Sequence, residues 1–332
     1  MSDKTKEKLP NFDALEKKID QVLDEGLFDF LRNTQMTRSE LVIDRRYAII
    51  SLIFAIAVLM SIYLSLGTGV SNILIVCALI WLLVLLLSGK RWLTDYKLLA
   101  REIAMALVPI LSNTLDRAII FTFDSNHKEE TGRLLMESEL ITIENIIVDS
   151  DDMYTVFGDK NISISELLVT QNLKSADGKS KRRVNIFKGV FVVVELARVH
   201  DAETYISTDG DRSGFAHKTF WTGLLKDEKV KETQLECNDF EKDLYVATSD
   251  GSKAREILTP DFMSDLHDWW LEHKLNARIA FKGDKMFMLL PEQSIHISST
   301  TTSTKKSAIK KYAMSLARPM WRSVVLVEDL NR

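Results

Sequence analysis

The sequence predicts an α+β protein: a transmembrane helical hairpin followed by a cytoplasmic domain with a mainly antiparallel sheet and flanking helices. Two uncharged apolar runs lie close together, at residues 47–66 and 73–88. The middle of the chain holds short segments rich in β-branched and aromatic residues, separated by Asp/Gly/Lys turns. Helical spacing of apolar residues returns on both sides of these segments. The expected organisation is a tail and amphipathic helix (1–46), the two-helix hairpin (47–89), the α+β domain (90–297), and a Ser/Thr-rich linker with a basic C-terminal helix (298–332).

Residues 47–66 read YAIISLIFAIAVLMSIYLSL, without a charge. At about 1.5 Å of rise per residue, a helix of that length would cover a bilayer core of about 30 Å. The second run, ILIVCALIWLLVLLLS at 73–88, reaches a similar length when extended back through Val70. Arg45 and Arg46 precede the first run, Lys90 and Arg91 follow the second, and the intervening 67–72 carries no Lys or Arg. Positive charge is retained on the cytoplasmic side, so the expected topology is multi-pass with both termini cytoplasmic. The first apolar run begins after a long polar stretch with no small-residue cleavage site, which reads as an uncleaved anchor rather than a signal peptide. Ala57, Ser61, Ser65 and Gly69 recur every fourth residue, a spacing for close helix packing within the chain or between protomers.

The formal charge of -4 argues against a general nucleic-acid binder. Cys77 and Cys237 lie far apart in dissimilar surroundings and suggest neither a disulfide framework nor a thiolate zinc site. In the N-terminal arm Leu15, Ile19, Val22, Leu23, Leu27, Phe30 and Leu31 have helical spacing, with Asn11 as N-cap. The polar face mixes acids with lysines, which favours docking onto the domain or a partner helix over lying on anionic lipid.

Behind the hairpin, a helix is expected from about Leu93 towards Leu115 and a short one over 134–140. The strand-like runs are YTVF, ISISELLV, VNIFKGVFVVVEL and LYVAT, and 174–183 reads as a hairpin loop with the Asp177-Gly178 turn signal. Thr259 and Pro260 open a helix carrying Phe262, Met263, Leu266, Trp269, Trp270 and Leu271. Adjacent tryptophans cannot share one core direction, so one should be buried and the other nearer a surface. Residues 277–281 and 285–290 read as two strands joined at Gly283-Asp284. Ile309, Tyr312, Ala313, Leu316 and Met320 suggest a closing helix.

Three landmarks follow the two apolar runs in order: Phe187-Lys188-Gly189-Val190-Phe191, Asp239-Phe240-Glu241, and Ala254-Arg255-Glu256-Ile257-Leu258-Thr259-Pro260. This order resembles the bacterial two-transmembrane membrane proteins grouped as domain of unknown function 3137. In that family an FKG-type strand precedes a phenylalanine-centred acidic element and an Arg-x-x-Leu-Thr-Pro helix start. The resemblance covers roughly residues 90 to 295, leaving the arm and tail outside. It implies a bacterial inner-membrane location but supplies no activity and no functional residues. Physically, the FKG segment reads as a strand with a glycine bulge, and Leu-Thr-Pro as a helix start.

Phosphate-loop, dinucleotide, zinc-helix and nucleophile-elbow patterns are all absent from the sequence. His267 and His273 are six residues apart, about 600° around a helix, and therefore on different faces. The segment from Asp209 through Asp211 and Ser213 to Gly214 starts like a calcium loop, but its twelfth position is Phe220 rather than glutamate. No metal and no cofactor are expected. Two basic clusters are candidate anionic-lipid contacts: Lys179, Lys181, Arg182 and Arg183, joined by Lys174, and Lys305, Lys306, Lys310 and Lys311.

These readings converge on a membrane-anchored cytoplasmic binding or scaffolding protein with no recognisable catalytic site. The alternative is a membrane-tethered enzyme whose site gathers Asp239, Glu241, Asp250 and Glu256 from separate segments. Expected partners are the lipid bilayer, a protein (other membrane proteins among the candidates) and further copies of the chain.

Overall fold

Apolar and β-branched runs along the middle of the chain build an antiparallel sheet, seven-stranded among the described residues. The computed structural model describes residues 13–21, 24, 46, 49–56, 60, 83, 105, 108–109, 112–113, 117–122, 125–157, 161–174, 181–208, 224–225, 229–235, 237–273, 276–291, 310–311, 314, 317–318, 320–324 and 327. The chain forms two compact units, one of Met1–Glu16, Val108–His296 and Met314–Arg332, the other of Lys17–Leu107 and Ile297–Ala313.

The first unit holds the sheet. Its strands are β1 (Ala118–Thr122), β2 (Ile146–Phe157), β3 (Ile162–Lys174), β4 (Lys181–Thr208), β5 (Lys231–Glu232), β6 (Leu244–Thr248) and β7 (Arg278–Pro291). The helices labelled here are α1 (Ser125–Ser138), α2 (Asn238–Asp243), α3 (Gly251–Ile257) and α4 (Pro260–His273). β1, β2, β3 and β4 form an antiparallel meander. β4 is the organising strand: its N-terminal part pairs with β3, its C-terminal part with β6, and its other edge with β7 from Gly189 to Ser207.

Both faces of the central strands are buried. On one face Phe187, Phe191, Val193 and Tyr205 join Phe287, Leu289, Ala247 and Ala280, closed by Leu135 of α1 with Leu140 and Leu224. On the other, Val190, Val192 and Val194 lie across from Leu290, Met288 and Met286, all buried. A strand apolar on both sides reads as a continuous run, which is why VFVVV and MFMLL show no alternation. α1 packs against β2 and β7, α3 against β4, and α2 against β6 and α4. Phe262 of α4 meets Phe281 edge-on at 5.8 Å.

All four strand-like runs lie in strands, and β3 and β4 form the expected hairpin down to the Lys174↔Lys181 pair. α4 starts at Pro260, with the Phe262 amide donating to Thr259 Oγ1 at 3.2 Å. Three readings are revised. Residues 277–281 and 285–290 belong to one strand, β7, bent at Gly283 (φ +58°), because both halves find partners on β4. The bulge near the FKG segment falls at Ile186, where the register steps from Val169↔Phe187 to Thr170↔Asn185; Gly189 pairs regularly. The short helix expected over 134–140 is the end of α1, which begins at Ser125.

The fold class is also corrected. The α+β class with a mainly antiparallel sheet and flanking helices stands, but the transmembrane hairpin does not: among the described residues no helix is long and apolar enough to cross a membrane. The longest described helical stretch within the expected spans is 49–56. Otherwise only Met60 and Leu83 of those spans are described.

In the second unit Ile19 is fully buried and Lys310 forms an ion pair with Asp20 of the N-terminal arm. Ile49, Ile50, Leu52, Ile53, Phe54 and Ile56 are helical and exposed. In the first unit, Ala317, Met320, Trp321, Val324 and Val327 of the C-terminal helical residues are buried at helical spacing.

Candidate functional site

A polar cluster in the sheet unit forms where α1 ends against β4 and β7. Glu203 and Tyr205 are two apart on β4, so they point to the same face. Tyr205 is wholly buried, and its hydroxyl donates to Glu139 Oε2 at 2.7 Å and to Glu203 Oε2 at 3.3 Å. Lys282 of β7 reaches both acids, with Nζ 3.3 Å from Glu139 Oε2 and 3.3 Å from Glu203 Oε1. Glu139 follows α1 directly and adopts φ 54°, the left-handed conformation usually given to glycine at a helix C-terminus. One residue on, the buried Arg278 donates from Nη1 to the Leu140 carbonyl at 3.0 Å.

The electrostatics of this cluster define its chemistry. Burial, then the Glu139 and Glu203 carboxylates, push the Tyr205 hydroxyl far above its ordinary range. Burial pushes the Glu139 carboxyl up, but the Tyr205 hydroxyl, Lys282 and Lys229 together outweigh it and hold the group below the usual carboxylate range. The Tyr205 phenol therefore stays protonated and the Glu139 carboxyl stays ionised around neutral pH. With the lysine bridging two carboxylates that also accept from the tyrosine, the cluster is a clamp on the exit of α1.

Two histidines occupy further polar clusters. His127 of α1 is buried, 3.3 Å from Thr131 Oγ1 and with Nε2 3.4 Å from Ser150 Oγ. Burial lowers its pKa, opposed by the nearby charge of Glu130, so the ring is held neutral. Ser150 lies at the irregularity in β2, where the register with β3 shifts. His267 Nε2 lies 3.0 Å from Asp243 Oδ2, and the ring stacks on Trp270 at 6.1 Å. Trp269 is buried in the core face of α4 while Trp270 is half-buried beside this pair, as their adjacency requires.

The four acids of the enzymatic alternative hold separate local positions. Asp239 is exposed and paired with Lys242 at 2.8 Å. Glu241 accepts from the Leu235 amide. Asp250 caps α3, accepting from the Ser252 amide at 2.9 Å and the Lys253 amide at 3.3 Å. Glu256 is exposed on α3. Among the described residues no group of three or more His, Cys, Asp or Glu side chains could hold a metal ion. Cys237 is a free, half-buried thiol at the start of α2.

Of the residues expected to set topology, Arg46 is helical and exposed, while Arg45, Lys90 and Arg91 lie outside the described residues, as do Ala57, Ser61, Ser65 and Gly69. The segment 209–214, Cys77, Lys179, Lys305 and Lys306 lie outside them as well. Lys181 is in β4, Arg182 and Arg183 are exposed there, and Arg183 Nε donates to Thr170 Oγ1 at 2.8 Å. Lys310 pairs with Asp20, and Lys311 is exposed. Sequence reasoning missed the Glu139–Tyr205–Glu203–Lys282 cluster altogether. Its one local signal is the Glu203-x-Tyr205 alternation on a strand, which is common in sheets.

No curated protein and no solved structure matches the chain. All three sequence landmarks fall within residues 185–332, together with the C-terminal tail that the resemblance had left outside. Over residues 185–332 the chain matches the family model described as a protein of unknown function (DUF3137), so its C-terminal part is similar to that family.

Proposed function

We propose that the chain is a non-enzymatic binding or scaffolding protein that works at a membrane. The observation that carries this reading is the exposure of Ile49, Ile50, Leu52, Ile53, Phe54 and Ile56 within the helical residues 49–56. Burying one such side chain is worth about 1.5–3 kcal/mol, so a helix surface this apolar favours an apolar neighbour strongly. The reading asks for an apolar contact surface only, not for a helix that crosses the bilayer.

The test is fractionation of cells expressing the full chain, followed by crosslinking and mass spectrometry of what co-purifies in mild detergent. The expected result is sedimentation with membranes through a high-salt wash, and recovery of a stoichiometric partner. A chain that stays in the supernatant overturns the membrane part. Retention of full function by a chain with Ile50, Ile53 and Phe54 all replaced by Ser overturns the role given to this surface.

A further inference from the structure

We draw no further inference here: the strongest candidate, the stripe of Asp261, Asp265 and Asp268 on the solvent side of α4, is a cluster of acidic side chains with no second observation among the described residues that points to what would bind it.

Discussion

The Tyr205 hydroxyl donates to Glu139 across 2.7 Å, and Glu139 is a non-glycine residue at φ 54° immediately after a helix. The conformation and the contact explain each other. A side chain in the left-handed region costs about 1 kcal/mol or more relative to glycine. Here the carboxylate gains a phenol and an ammonium partner that glycine could not bind. The clamp joins α1 to β4 and β7, whose residues lie far apart in sequence.

Tyr205→Phe keeps the buried ring and removes only the hydroxyl. Glu139 is partly exposed and water can replace the lost donor, so the expected destabilisation is about 1 kcal/mol. Tyr205→Ala also empties the core beside Phe187 and Phe287, and should cost about 3–5 kcal/mol. Denaturant melts of the two variants separate these contributions. Equal losses would mean that the hydroxyl, not the ring, holds the sheet face to α1.

The pH dependence follows from Glu139. Its folded pKa lies below the ordinary carboxylate value, so the associated stability is fully present above the unfolded pKa, about 4.3 for glutamate. It is lost as pH falls through the lower, folded value. Removing the Lys282 charge with Lys282→Met should shift the acid unfolding midpoint upwards. An unchanged midpoint would show that the lysine does not hold Glu139 ionised.

How far the sequence foretold this arrangement depended on whether a feature was local. The strand at ISISELLV, the helix start at Thr259-Pro260 and the β3–β4 hairpin rest on neighbouring residues, and each is legible from alternation, capping and turn chemistry. The continuity of β7 is not, because Gly283-Asp284 is a good turn signal locally and only the long β4 beside it keeps both halves in one strand. The clamp is the extreme case. Glu139 gives no sign of a left-handed helix end, and its partners lie 66 and 143 residues further along the chain. The apolar runs show the converse: a composition that predicts two spanning helices, where no helix among the described residues is long and apolar enough to cross a membrane.

Gly283 tests the bend in β7 directly. Its φ is +58°, and a Cβ added there would meet nothing within 4 Å. The cost of Gly283→Ala is therefore conformational rather than steric, about 1 kcal/mol. Gly283→Val should cost more, since a β-branched side chain tolerates the left-handed region less well. Thermal melts would show the ordering Gly, Ala, Val. Reversal of that order would mean that the bend relaxes to an ordinary strand without loss of the pairing to β4.

His127 should leave a mark on stability nearer neutral pH. Burial holds the ring neutral in the folded chain, against the opposing charge of Glu130. The unfolded chain binds a proton near the ordinary imidazole value of about 6.5, before the folded chain does. Stability is then fully present above that value and is lost as pH falls towards the lower folded pKa. His127→Gln keeps a polar side chain within reach of Thr131 and Ser150 but cannot titrate. The unfolding free energy of the unaltered chain should fall more steeply between pH 7 and 5 than that of the variant, measured by urea denaturation at each pH. Parallel curves would mean that His127 takes up its proton as readily in the folded protein as in the unfolded chain, and that its contacts with Thr131 and Ser150 do not depend on the neutral ring.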